Sequence, residues 1–239
     1  LSDKGAVDRT SHMRTAGRQV MRRLLCALLL ASMLLLSGCL NVSDGQDTQK
    51  FNGRDYDPPI TAPDFTLTNQ HNTTTTLSDH SGKVVVVAFT YTHCPDVCLD
   101  LEANLLTLMS ELGSDYGTEV EIISITVDPV RDTPEHLANW TSEHGYTWPH
   151  VTSDNHTLLV ELWNDWGVAV FNEHINSNHS EGDGHENDEH EDDAYEVGHS
   201  TTITFLVDRN GMKRVAWSGS SWSVDDLLAD VHALIDEGQ

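Results

Sequence analysis

The run Val84-Val85-Val86-Val87-Ala88-Phe89 constrains this chain more than any other stretch. A short, unbroken and mostly β-branched run reads as a strand buried on both faces, which needs packed layers on either side. It leads directly into Cys94-Pro95-Asp96-Val97-Cys98. Leu101, Leu105, Leu108 and Leu112 then recur at helical spacing, and Gly113 stops the helix. A buried strand, a cysteine pair and a helix thus follow one another with only four residues, Thr90 to His93, between strand and cysteines.

The same alternation continues down the chain. Residues 120–127 form a second buried strand. Thr133-Pro134-Glu135 opens a helix with a capping hydroxyl and a proline at the first helical position; Leu137 and Trp140 follow. Residues 155–166 carry Leu158, Leu159, Leu162 and Trp163 at helical spacing. Residues 201–207 read as a strand, Asp208-Arg209-Asn210-Gly211 as a hairpin turn, and residues 213–217 as the returning strand. Ser223 caps a last helix that runs to Ile235. Residues 64–68 alternate at period two, as an outer strand does. The pattern predicts an α/β fold with a central mixed β-sheet flanked by helices and a closing β-hairpin, compatible with a thioredoxin-like fold. Trp140, Trp148, Trp163 and Trp166 read as core.

The first 39 residues read as an address. Arg14, Arg18, Arg22 and Arg23 precede an apolar run at residues 24–36, which ends in Leu36-Ser37-Gly38-Cys39. A basic start, a short apolar middle and small residues at a cleavage point describe a secretory signal. The run is shorter than the ~20 residues of a comfortable membrane span. Leu-Ser-Gly-Cys resembles the lipobox of prokaryotic lipoproteins, which makes Cys39 the lipidated first residue of the mature chain and discards Cys26. An uncleaved signal anchor is the competing reading. Either one places the protein on the extracytoplasmic face of the membrane. Residues 40–61 are polar, with Asn, Asp, Gln, Gly and Pro, and read as a flexible tether to a domain at 62–239. Residues 173–196 hold ten acidic residues, no basic one, and His174, His179, His185 and His190. They read as a mobile loop inserted in that domain, since they cannot bury a core.

Charge excludes partners. The chain carries 13 Lys and Arg against 38 Asp and Glu, a formal net charge of −25. Nucleic acid requires a basic face, so it is excluded as a partner, and so is charge-driven adhesion to an anionic membrane.

The chemistry centres on Cys94 and Cys98. A spacing of four puts the two sulfurs on one helical face, one turn apart. A helix N-terminus favours thiolate over thiol. The pair is therefore either a redox-active dithiol or half of a site for a soft metal ion such as Cu(I) or Zn. Two sulfurs leave a metal short of ligands. His199, just before the predicted strand at 201–207, is the candidate third ligand. His93 and His150 read as local structural residues. A thioredoxin-like peroxidase is disfavoured, because Arg131 is the sole arginine in the nearby motifs.

Three segments carry a family resemblance. Phe89-Thr90-Tyr91-Thr92-His93-Cys94-Pro95-Asp96-Val97-Cys98 resembles the signature of the SCO/SenC family. Val127-Asp128-Pro129-Val130-Arg131-Asp132-Thr133-Pro134 resembles its second motif. Tyr195-Glu196-Val197-Gly198-His199-Ser200, followed by Phe205-Leu206-Val207-Asp208 and Gly211, resembles its third. Order and spacing agree over residues 62–235. The resemblance implies a membrane-tethered thioredoxin-like protein that binds one copper, Cu(I) or Cu(II), through Cys94, Cys98 and His199. It implies that Asp128 lies beside the ligands without being one. The implied role is a carrier rather than a turnover enzyme: delivery of copper to the CuA site of cytochrome c oxidase, or of another cuproenzyme, or reduction of that site's cysteines. Two features depart from the family pattern. Leu99 stands where members usually carry Pro, which predicts altered helix packing, and the histidine-rich insertion is additional.

Overall fold

The computed structural model describes residues 49–94, 97–172, 175, 197–199 and 202–238, with the backbone alone at 198–199. Residues 1–48, read from the sequence as a leader and the start of a tether, and residues 173–196 apart from Ile175 lie outside the described residues. Among the described residues, no helix is long and apolar enough to cross a membrane.

The run that opened the sequence reading becomes strand β4 (Val84–Thr90), and all seven of its residues are buried. Its side chains alternate between two cores. Val85, Val87 and Phe89 join one with Trp163, Trp166 and Phe205; Val84, Val86 and Ala88 join the other with Leu101, Leu105, Leu108 and Leu234. A strand buried on both faces has no polar face to alternate, so its sequence does not alternate either. β4 pairs in parallel with β5 (Val120–Thr126), which pairs in parallel with β6 (His150–Thr152). On its other side β4 pairs antiparallel with β9 (Ile203–Val207), and β9 with β10 (Met212–Ser218). Strands β2 (Thr66–Asn69) and β3 (Thr74–Thr76) extend the β6 side.

Four helices complete the layers described. α1 (Val97–Leu112) and α4 (Val224–Glu237) pack on one face of the sheet. α3 (His156–Trp166) packs on the other. α2 (Pro134–His144) follows β5 and turns Trp140 into the core shared by α1 and α4. All four predicted core tryptophans are buried. The α/β fold with a mixed sheet, flanking helices and a β9–β10 hairpin is thus present, and the β4-α1-β5-α2 and β9-β10-α4 order is the thioredoxin-like arrangement. His150 is a core residue, as its sequence context suggested. It lies 3.4 Å from the equally buried Glu102 of α1.

One boundary is corrected. The stretch read as a tether through residue 61 contains β1 (Arg54–Thr61), an edge strand paired antiparallel with β10. The β9–β10 hairpin is therefore not at the edge of the sheet. Phe51 is buried ahead of β1. Backbone N–H groups of Asn52 and Gly53 donate to Asp230 on α4 at 2.7 and 2.9 Å. Pro58 and Pro59 hid the strand from the sequence reading. Proline is tolerated on an edge strand, and the β1–β10 register shifts between Asp55 and Ile60.

Candidate metal centre

Parallel pairing puts the C-terminal ends of β4 and β5 on one edge of the sheet, the edge where open α/β sheets gather ligands. Beyond β4 come Tyr91, Thr92, His93 and Cys94; beyond β5 come Asp128, Arg131 and Asp132. Because β9 runs against β4, with Ala88 opposite Thr204, the chain enters β9 at this same edge. It brings with it β8 (Val197–His199), paired antiparallel with β7 (Val170–Asn172), and His199 stands in register with Val170. The topology thus brings the Cys94 loop and the His199 strand together from positions about 100 residues apart.

Cys94 ends the loop and Cys98 sits in the first turn of α1. They are 5% and 1% exposed, and no disulfide joins them. The backbone N–H of Cys98 donates to Cys94 Sγ at 3.3 Å. The hydrogen bond shared with Cys94, then burial and Cys94's charge, raise the Cys98 thiol above its ordinary range. Its proton is thus held more tightly than a helix N-terminus alone would imply. Leu99, beside Cys98 in the first turn of α1, is 39% exposed.

Tyr91 ties the two halves of the site. Its hydroxyl donates to the carbonyl of Val197, two residues before His199, at 3.2 Å. Burial, and then Cys94, raise its phenol above the ordinary range. Asp128 is fully buried and ion-paired with Arg131, three residues on. Both charges act on His93, whose imidazole is lowered first by burial, then by Arg131 and His136, against the pull of Asp128.

A second group of side chains lies next to the cysteines. His93, Asp132 and His136 place their ligating atoms within 4.8 Å of one another. Thr92 Oγ1 sits among them: it donates to Asp132 Oδ1 at 2.5 Å and lies 2.9 Å from both His93 Nδ1 and His136 Nε2. Burial pushes the Asp132 carboxyl up to about 6, against hydrogen bonds from Thr126 and Thr92. Sequence reasoning missed this cluster. His93 was read as structural, and Asp132 and His136 come from a different loop and helix.

A thioredoxin-like domain with two cysteines at the head of its first central helix defines a dithiol protein. The SCO1/SenC family profile matches residues 54–236, and the chain belongs to that family. The mitochondrial SCO1 homolog of Homo sapiens is 30% identical over 112 residues, 46% of this chain and 37% of that protein. The chain thus spans little more than a third of that relative. The structure of Bradyrhizobium japonicum ScoI with copper bound aligns with a TM-score of 0.58 at 24% identity, covering 73% of this chain and 99% of the other. A Sco protein with a disulfide switch, described as one of a family of cytochrome c oxidase assembly proteins, aligns with a TM-score of 0.58 at 20% identity, covering 79% and 98%.

Proposed function

We propose that this chain is a copper carrier for cytochrome c oxidase assembly. It takes one copper, Cu(I) or Cu(II), through Cys94, Cys98 and His199, and passes it to the CuA site of the oxidase or to another cuproenzyme. Copper here is cargo. The observation that carries the reading is the buried pair of sulfurs at the head of α1, coupled through Cys98 N–H to Cys94 Sγ, with Tyr91, three residues before Cys94, bonded to Val197 of the strand that bears His199. Two soft sulfurs and an imidazole suit Cu(I), and can hold Cu(II) with one more ligand. The thiols must shed their protons and His199 must be neutral, so uptake weakens as pH falls. The buried Asp128–Arg131 pair sets the charge beside the ligands without joining them.

Residues 1–39 export the chain and the lipidated Cys39 holds it on the extracytoplasmic face of the membrane. Metabolic labelling with a fatty acid checks the anchor, and the label should be lost in Cys39→Ala.

A second reading uses the same thiols as a reductant for a partner's copper-site cysteines. One Cys thiolate attacks the partner disulfide, the other closes Cys94–Cys98, and the partner leaves with two electrons and two protons. Two sulfurs one helical turn apart at a helix head favour it, since that spacing allows a Cys94–Cys98 disulfide. Metal binding needs His199, whereas thiol exchange does not. Copper stoichiometry and visible absorption of the reduced full chain, beside His199→Ala, separate the two. One copper per chain with thiolate-to-Cu(II) charge-transfer bands, lost in the variant, is the expected result. No copper retained, with a readily cycling disulfide in both proteins, would leave the reductase reading.

A further inference from the structure

His93, Asp132 and His136 form a donor set of a different chemical kind from the two sulfurs beside it. His93 lies on the loop after β4, Asp132 on the loop after β5, and His136 in the first turn of α2. The His136 N–H donates to the capping Thr133 Oγ1 at 3.2 Å, which fixes the backbone that carries the ring. The two imidazoles stack, with centroids 5.1 Å apart and planes 24° apart, above the same threonine hydroxyl. Asp132 is fully buried, and the described donors to it are all neutral: the hydroxyls of Thr126 and Thr92 and the N–H of Thr92. A buried carboxylate with no cation against it is a costly arrangement that a metal ion would relieve.

We propose that His93, Asp132 and His136 form a second metal site, for a divalent first-row ion of the Zn²⁺ type, one residue from Cys94. Two imidazole nitrogens and a carboxylate oxygen are the ligands such ions take, with water free to complete the shell. Metal bonds of about 2.0–2.2 Å set donor atoms roughly 3.3–3.6 Å apart in a tetrahedron. The donors therefore have to close by about 1 Å. The carboxylate is pinned by its hydrogen bonds, while His93 is exposed and His136 half-buried, so the rings are the parts that move. Thr92 Oγ1, already within 2.9 Å of all three, occupies the centre of the donor set, and an ion bound there displaces this hydroxyl. Because its donors are nitrogen and oxygen, the site is independent of the copper reading and stands or falls apart from it.

The test uses the full chain carrying Cys94→Ser and Cys98→Ser, which removes sulfur ligation. Co²⁺ is titrated by its visible d–d absorption and Zn²⁺ by competition against it. The expected result is one Co²⁺ per chain without sulfur charge-transfer bands, displaced by Zn²⁺. Adding His136→Ala should weaken that site at least about tenfold. His136→Gln, which leaves a polar side chain at the same helical position, should do the same, with far-ultraviolet circular dichroism unchanged in both. No Co²⁺ uptake in the parent overturns the proposal. So does an identical titration with and without His136, which would assign uptake to the histidines of residues 174–190.

Discussion

One phenol joins the two halves of the proposed copper site. Tyr91 is three residues before Cys94, and its hydroxyl holds the carbonyl of Val197, two residues before His199. Strand β8 is three residues long, so a single anchoring bond is a large part of what fixes it. Replacing Tyr91 with Phe keeps the buried ring and removes only the hydroxyl. The hydroxyl also bonds to Cys94, so the expected cost is about 1–3 kcal/mol, that of one to two hydrogen bonds. It should appear as a lower urea midpoint with an unchanged slope. An unshifted midpoint would mean that water replaces the bond without loss. Thr92, the next residue, shows the same economy, since one hydroxyl serves a carboxylate and two imidazoles. The Cys94–Cys98 pair was legible in sequence because its chemistry is local: four residues, one helical turn. The Thr92 hub was not. Two of its three partners, Asp132 and His136, come from 40 and 44 positions away, and a threonine carries no motif signal.

At the level of elements, the least legible piece is the one that closes the sheet. β1 is fastened ahead of its first residue by Asp230, whose carboxylate also takes the Asn52 side-chain amide at 3.0 Å. Asp230→Ala leaves the Asn52 and Gly53 N–H groups without their acceptor. The expected loss is roughly 2–4 kcal/mol, from unmet donors of about 1–3 kcal/mol each. Hydrogen exchange localises the effect: β1 amides should lose protection before those of β4. Equal protection of β1 in variant and parent would show that pairing with β10 holds the strand alone. The sequence reading found β4, β5, β9, β10 and the four helices because each buries a long patterned face. It missed β1, where an isolated Phe51 and two prolines break every period. It also missed β3, β6, β7 and β8, which at three residues each are too short to establish one. What a short strand contributes is position, and position is set by its neighbours.

Over the whole molecule, charge sets conditions that no single contact does. From residue 49 onward there are seven Lys and Arg against 34 Asp and Glu. Five of the seven cations are already in ion pairs: Lys50 and Arg214 with Glu237, Lys83 with Glu121, Arg131 with Asp128, and Arg209 with Glu119. A sixth, Lys213, is buried over the rings of Tyr56, Trp166 and Phe205. Most carboxylates therefore have only one another as charged neighbours. Repulsion of that kind destabilises the compact state and is screened by salt, since the Debye length falls from ~30 Å at 0.01 M to ~3 Å at 1 M. Salt also weakens the ion pairs, but exposed pairs contribute ~1 kcal/mol at most, and there are few of them. The balance predicts that Tm rises with NaCl over this range, each kcal/mol gained appearing as about 2–4 °C in a chain of this size. The same field draws cations toward the molecule, so the rate of metal-ion uptake should fall over the same range. Calorimetry and stopped-flow uptake, run on the same salt series, should give slopes of opposite sign. A Tm that falls with salt would mean that the few ion pairs outweigh the field of the whole chain.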